Sequence, residues 1–114
     1  MKYTLKFQGA ACLLAWSVAF SNISGALDLP TFRLEIADGK FHPARIEVPA
    51  NQRIKIELHN TGHGAVEFES MQLRKEKVLA PGAESFIVIA PLSPGKYKFF
   101  DDFHQNGQGV IVSG

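Results

Sequence analysis

The chain has 114 residues, of which 46% are hydrophobic, and its formal net charge at pH 7 is +1. This length holds one small domain with its own core and leaves no room for a second. Because the charge is close to neutral, the chain has no electrostatic basis for binding nucleic acid or an anionic membrane surface. Its function must therefore come from particular residues.

The N-terminal segment has the three-part pattern of a secretory signal peptide. Lys2 and Lys6 precede an uncharged apolar run over residues 9–20, and small residues follow before the end of the pattern at Ala26. An N-terminal membrane anchor is the alternative, but the apolar run is shorter than the roughly 20 residues that span a bilayer. We therefore expect cleavage after Ala26 and export through the inner membrane into the periplasm.

Cleavage would divide the chain into a signal peptide, residues 1–26, and one domain, residues 27–114. The domain would lose Cys12, the only cysteine, and would keep ten basic and eleven acidic residues. A domain without a thiol forms no disulfide and offers no thiolate to a metal. Any metal chemistry there depends on carboxylate, imidazole and thioether ligands.

The rest of the sequence alternates apolar and polar residues with a period of two, which is typical of half-buried strands. The alternation is clearest in TFRLEI, residues 31–36, and RIKIEL, residues 53–58. Residues 72–77, QLRKEK, predict a turn of helix or an exposed loop. Further strands are predicted at 45–48, 65–69, 85–90, 96–100 and 109–113. About seven short strands separated by Pro, Gly and Asn favour an all-β fold, an antiparallel sandwich.

The C-terminal sequence LSPGKYKFFDDFHQNGQGVIVSG resembles the closing strand, ligand loop and final strand of cupredoxins. This resemblance implies a Greek-key β-sandwich. In the alignment, Asp101 takes the position of the copper-ligating cysteine. A type 1 blue copper centre depends on a short copper–thiolate bond, so we exclude this kind of centre.

A closer resemblance is to cupredoxin-like proteins of bacterial periplasmic iron uptake, the FtrB-type proteins and the cupredoxin module of EfeO. Glu67 and Glu69, in AVEFES, match a Glu-aromatic-Glu metal-binding motif of the EfeO module. Asp101 and His104, in DDFH, match an Asp-x-x-His motif of the FtrB-type proteins that is associated with ferrous iron. The resemblance implies a protein that binds iron, assists its oxidation and delivers it to an Ftr1-type iron permease and the associated uptake components.

Strand geometry gives Glu67 and Glu69 a separate interpretation. Residues two apart on a strand share a face, so these carboxylates should project together while Val66 and Phe68 enter the core. Two like charges repel unless a cation or a basic side chain lies between them. The residues alone leave two alternatives, a metal site or a solvated face opposite Arg or Lys.

Asp101, Asp102 and His104 lie where a strand becomes a Gly- and Asn-rich loop, which can direct several side chains to one point. Carboxylate and imidazole ligands suit iron, Mn(II), Cu(II) or Zn(II). We predict that Asp101 and His104 bind metal and promote ferrous iron oxidation, with iron, copper or both as the bound metal. Asp102 would point elsewhere if the strand continued, so ligand and solvated turn acid remain alternatives for it.

Three more histidines and one methionine are weaker candidates. His42 precedes Pro43, which favours extended backbone and suits a loop that presents the imidazole as a metal ligand. His59 and His63 flank the turn NTGHG and are interpreted as surface histidines, although cupredoxins often carry a histidine ligand near this point. Met71 is expected to fill a gap in the core.

Two other functions stay open on the sequence alone. The domain could bind Cu(II) without turnover, as an accessory or chaperone protein, or it could be a sandwich that docks to partners and binds no metal. Whether the protein is an enzyme and whether it forms a homodimer are also left open. The sequence shows no nucleophile–base pair, phosphate loop or cysteine cluster that would support hydrolytic or nucleotide chemistry.

Overall fold

The structure, a computed structural model, describes residues 28–114. The predicted signal peptide, residues 1–26, lies outside the described residues. No helix in the described part is long and apolar enough to cross a membrane. Residues 28–114 form nine strands: β1 (Thr31–Ala37), β2 (Lys40–His42), β3 (Arg45–Val48), β4 (Ile54–Asn60), β5 (Val66–Ser70), β6 (Lys75–Leu79), β7 (Glu84–Ile89), β8 (Gly95–Asp101) and β9 (His104–Ser113).

The strands form two sheets, as the predicted β-sandwich requires. The four-stranded sheet has the order β2-β1-β4-β7, and the five-stranded sheet has the order β3-β9-β8-β5-β6. Most neighbours are antiparallel, but β1 and β4 pair in parallel, as do β3 and β9. The predicted all-β sandwich is therefore confirmed, and the structure adds these two parallel pairs to its mainly antiparallel pairing.

Two strands were not predicted, because their sequences carry little alternation. β2 has only three residues, Lys40–His42, which is too short to show a period. β6 begins inside the segment interpreted as a helical turn or loop, whose residues Met71–Arg74 form a turn while Lys75–Leu79 pair with β5. Charged residues are common on strands at the edge of a sheet, where they oppose pairing with other chains, and here they hide the strand pattern.

The core lies between the sheets and is filled by the inward residues of each strand. On β5 the order buried, half-buried, buried confirms that Val66 and Phe68 point inward while Glu67 and Glu69 point outward. Phe99 packs edge-on to Phe41, with ring centroids 4.8 Å apart, and against Phe68 at 5.2 Å. Full burial of each such side chain contributes about 1.5–3 kcal/mol, so this trio firmly joins β2, β5 and β8.

Asn60 organises the loop between β4 and β5, which carries His63. Its side chain is fully buried, and its amide donates to the carbonyl oxygens of Gly64 at 2.9 Å and Leu79 at 3.0 Å. Its side-chain oxygen accepts the N–H of Gly62 at 3.0 Å. These bonds satisfy a buried amide and hold the loop in one conformation.

The turn between β1 and β2 packs directly on the start of β9. Gly39 has a φ of +86°, and a Cβ there would lie 2.6 Å from the Cβ of His104. A Cβ on Gly107 would overlap the carbonyl oxygen of Gly39. Both glycines are needed for this close approach, which places Asp38 beside the loop that follows β8.

We expect Gly107→Ala to lower the free energy of unfolding by about 1–3 kcal/mol, because the added methyl group must push the Gly39 turn away from β9. Gly64→Ala is the matched control, since a Cβ there has no heavy atom within 4 Å. Urea denaturation of both variants and the wild type measures the difference. Equal losses in the two variants would contradict the close packing of the turn.

Candidate metal site

Asp101, at the end of β8, is fully buried. Its Oδ1 accepts the backbone N–H groups of Glu67 at 2.9 Å and Phe103 at 3.0 Å, and its Oδ2 lies 2.8 Å from Nδ1 of His104. Both oxygens are thus occupied by hydrogen bonds within the domain. A metal would have to displace one of these partners to reach Asp101, and the carboxylate lies where it can orient His104.

His104 begins β9, and its side chain is 37% exposed. When Nδ1–H donates to Asp101, Nε2 carries the free lone pair of the neutral imidazole. A carboxylate that holds one imidazole nitrogen while the other faces outward is the usual arrangement around a metal-ligating histidine. Of the predicted pair, His104 is therefore the residue that can reach a metal or accept a proton.

A second Asp–His pair involves residues of the β1–β2 turn and the β4–β5 loop. Oδ1 of Asp38 accepts the backbone N–H of His63 at 2.9 Å, and Oδ2 lies 3.4 Å from Nδ1 of His63. These two contacts are the main reason that the pKa of Asp38 is lowered, and the charge of His104 adds a small effect in the same direction. Asp38 was missed in the sequence because an Asp-Gly pair indicates only a turn.

Three carboxylates meet on the outward face of the five-stranded sheet. Glu67 and Glu69 of β5 and Glu76 of β6 each offer one oxygen, and these oxygens all lie within 4.8 Å of one another. Glu69 stands directly opposite Glu76 in the β5–β6 register. We call these three residues the carboxylate cluster. Glu76 was not predicted as a member because its segment did not indicate a strand.

The cluster carries repulsion that no basic side chain relieves. Among residues 28–114, no ion pair within 4.0 Å involves any of its members. Loss of solvent raises the pKa of Glu67, and the charges of Asp102, Glu69 and Glu76 raise it further. The pKa of Glu69 is raised by loss of solvent first, then by the charges of Asp102 and Glu76. A bound cation would remove this repulsion.

The adjacent acids Asp101 and Asp102 point in different directions. Asp101 is buried and Asp102 is exposed. The charge of Asp102 acts on the side chain of Glu67 and adds a fourth negative charge beside the cluster. The predicted site is therefore divided: Glu67, Glu69 and Asp102 lie on the outward face, and Asp101 lies inside the domain.

The remaining candidates lie apart from the cluster. His42 is exposed on β2, in the four-stranded sheet, so the structure separates it from the Glu67 and Glu69 pair. His59, on β4 of the same sheet, accepts a hydrogen bond from Nη2 of Arg33 at 3.2 Å. Met71 is 72% exposed, so the expectation that it fills the core is wrong. It lines a surface depression beside Glu69 and Glu76.

The described residues contain no cysteine, and the position expected for one is taken by the fully engaged Asp101. This residue set does not fit a type 1 copper centre, which needs a thiolate. The carboxylate cluster does fit a hard cation that prefers oxygen ligands, such as Fe(III) or Mn(II). His104 offers a nitrogen ligand outside this cluster.

Asp101→Ala should lower the free energy of unfolding by at least about 2 kcal/mol, because it leaves three hydrogen-bond donors without their acceptor in a buried place. Asp102→Ala is the matched control, since it removes the neighbouring carboxylate from the exposed face. Chemical denaturation at pH 7 measures both variants. A loss from Asp102→Ala as large as that from Asp101→Ala would contradict the division between the two acids.

Glu69→Gln should raise the free energy of unfolding at pH 7, in metal-free buffer, by removing one repelling charge. The folded-state pKa of Glu69 is raised above its ordinary value. Protonated Glu69 therefore favours the folded state below the unfolded pKa, and this contribution to the free energy of unfolding is lost as the pH rises through the folded pKa. The advantage of the variant should vanish below about pH 4, near the ordinary Glu value.

Denaturation curves at pH 7 and at pH 3.5 check this difference. Glu47→Gln provides the control, because Glu47 lies on the same sheet but pairs with Arg45 at 3.5 Å. It should not gain stability at pH 7. An advantage of Glu69→Gln that is equal at both pH values would mean that charge repulsion is not its cause.

The sequence matches the family model described as cupredoxin-like domain over residues 10–113. A curated relative is an uncharacterised protein of Rickettsia prowazekii (strain Madrid E), which is 43% identical over 81 residues. The match covers 70% of this chain and 65% of that protein, so the chain spans less than two thirds of the relative's length.

Several solved structures share the fold at low sequence identity. The metal-binding domain of the Cu(I)-exporting P-type ATPase CopA of Streptococcus pneumoniae D39 aligns with a TM-score of 0.67 at 16% identity, over 74% of this chain and 84% of that one. Auracyanin of Roseiflexus castenholzii aligns with a TM-score of 0.60 at 17% identity, over 74% of this chain and 96% of that one. A purple cupredoxin of Nitrosopumilus maritimus aligns with a TM-score of 0.56 at 15% identity, over 73% of this chain and 99% of that one. With the family match and the nine-stranded sandwich, these similarities lead to the conclusion that the chain belongs to the cupredoxin-like domain family.

Proposed function

We propose that this protein is a periplasmic cupredoxin-like metal-binding protein that takes up iron at the carboxylate cluster. One observation carries the proposal: three carboxylate oxygens lie within 4.8 Å of one another without a basic partner among the described residues. An ordinary surface face would place Arg or Lys between them, as Arg33 lies between Glu57 and Glu84 on the other sheet. The unrelieved charge favours a cation as the missing partner.

The ligand type supports iron over Cu(I) and gives the site a redox bias. Glu67, Glu69 and Glu76 offer only oxygen atoms, which are hard anionic ligands suited to high-charge cations. Such ligands stabilise Fe(III) more than Fe(II), so they lower the reduction potential of the bound ion. We propose that ferrous iron, as the substrate, gives up one electron here, with dioxygen as the acceptor: four ferrous ions, oxidised in turn, supply the four electrons that, with four protons, convert one dioxygen to two waters.

His104 is proposed to serve the oxidation through its free Nε2, either as an additional ligand or as a nearby base. Asp101 supports this role by holding Nδ1 at 2.8 Å, so it is a positioning residue rather than a ligand. Asp102, whose charge adds to that of Glu67, is proposed to help hold the cation. Ferric iron would then pass to an Ftr1-type permease and its associated uptake components, which the resemblance to iron-uptake proteins implies.

A second function is binding of Cu(II) without turnover, as an accessory or chaperone protein. The two Asp–His pairs favour this alternative, because His63 and His104 present imidazoles, which suit Cu(II). The CopA domain that shares the fold was determined with Cu(I) bound, which makes copper a reasonable probe metal. The two functions differ in which residues hold the ion and in whether an electron is transferred.

Anaerobic calorimetric titration with Fe(II) and Mn(II) tests the site. The double variant Glu67→Gln, Glu69→Gln should weaken binding by at least about tenfold, an effect at least as large as that of losing an outer partner of a metal ligand. Glu47→Gln should bind as the wild type does, because Glu47 lies on the same sheet outside the cluster. Wild-type affinity in the double variant would remove the cluster from the metal site.

Loss of Fe(II) in air, followed with a ferrous chelator, tests the oxidation. The wild type should exceed the protein-free autoxidation rate, and His104→Ala and the double glutamate variant should fall towards it. A wild-type rate equal to autoxidation would exclude oxidation and leave a carrier. Cu(II)-loaded protein should lack an intense blue band, because the described residues provide no thiolate.

A further inference from the structure

The outward face of the four-stranded sheet carries two histidines and two glutamates in one line. In the strand registers, Glu35 of β1 stands opposite His42 of β2 on one side and His59 of β4 on the other. Glu84 of β7 stands opposite His59. Imidazole and carboxylate thus alternate across all four strands. We call these four residues the His–Glu row.

The side chains of the row share one face of the sheet. Their strand neighbours Phe41, Ile36 and Leu58 are buried in the core, so alternation directs the row to solvent. Directly opposed residues on neighbouring strands have Cβ atoms about 4.5–5.5 Å apart. His42, Glu35 and His59 are therefore close enough for two imidazoles and the carboxylate between them to reach one ion by side-chain rotation.

Arg33 now lies among these side chains. It is within 3.9 Å of Glu35 and 3.6 Å of Glu84, and its Nη2 is 3.2 Å from Nδ1 of His59. Guanidinium only donates hydrogen bonds, so Nδ1 of His59 must be the acceptor and Nε2 must carry the proton. The row therefore already holds a cation, and that cation uses the lone pair of His59.

We propose that the His–Glu row is a second metal site, for a divalent transition ion such as Zn(II) or Cu(II), and that the ion and Arg33 compete for His59. Binding through Nδ1 needs the lone pair that Arg33 occupies. Binding through Nε2 moves the proton to Nδ1, which then no longer accepts from Arg33. Either route releases Arg33, which keeps Glu57, outside the row, as a partner at 3.9 Å.

The ligand set differs from that of the carboxylate cluster, and so does its selectivity. Two imidazoles and one carboxylate suit Zn(II) and Cu(II), whereas the carboxylate cluster has oxygen ligands alone. The two sites are on different sheets, so each can be removed without touching the other. The inference therefore does not depend on the proposed iron function.

Zn(II) is the probe, because it has no redox chemistry. The full chain with Glu67→Gln and Glu69→Gln, which disables the carboxylate cluster, is titrated with Zn(II) against a chromophoric chelator. Adding His42→Gln or His59→Gln should weaken binding by about tenfold or more. Adding Arg33→Gln should strengthen it by about fivefold, because a competing positive charge and a donor to His59 are lost.

Glu47→Gln, which changes an exposed glutamate on the other sheet, is the control and should leave the affinity unchanged. Imidazole NMR signals of His42 and His59 should shift on adding Zn(II), and urea denaturation confirms that each variant is folded. The inference is overturned if His42→Gln and His59→Gln bind Zn(II) as the parent chain does. It is also overturned if Arg33→Gln weakens binding, since Arg33 would then support the site rather than compete for it.

Discussion

The buried carboxylate of Asp101 is the interaction on which the candidate site depends. It accepts the backbone N–H of Glu67 on β5, the N–H of Phe103 in the following turn and the imidazole N–H of His104 on β9. One side chain thus connects β5, the turn after β8 and the start of β9. A buried carboxylate is tolerated only when its oxygens are satisfied, and here each oxygen has a donor. The same bonds lie where β5 ends its pairing with β8, and they hold Nδ1 of His104.

That constraint separates two chemistries that the sequence places side by side. Because Asp101 turns inward, Asp102 turns outward and joins Glu67 and Glu69 instead of His104. Oxygen ligands therefore collect on the outward face of the five-stranded sheet, and imidazoles collect at the loop end of the sandwich. A hard ion would be held by the first group, and a proton or a softer ion would be handled by the second. The proposed iron function uses both groups: the carboxylates bind the ion, and His104 assists its oxidation.

The outward faces of the two sheets differ in whether a basic side chain lies beside their acidic residues. On the four-stranded sheet, Arg33 lies among Glu35, Glu57 and Glu84, so these carboxylates have a partner inside the domain. On the five-stranded sheet, the members of the carboxylate cluster have no such partner within 4.0 Å among residues 28–114. Loss of solvent first, and the neighbouring carboxylate charges second, raise the pKa values of Glu67 and Glu69. Glutamates are thus paired with an arginine on one face and lie without an ion-pair partner on the other. The difference depends on Arg33, whose position on β1 places it beside these glutamates.

The sequence by itself determined the fold class, the outward direction of Glu67 and Glu69 and the lack of a cysteine in residues 28–114, because alternation and composition are local properties. It could not reveal Glu76, since β6 becomes a strand only by pairing with β5. The sequence predicted that Asp101 binds the metal, because a carboxylate close to a histidine gives the same pattern whether it faces a metal site or the core. Only the tertiary structure shows that Asp101 is buried and has three hydrogen-bond partners within the domain. It likewise placed His42, Glu35 and His59 in one line, since register between strands follows from the packing of their buried faces and is not written in any single strand.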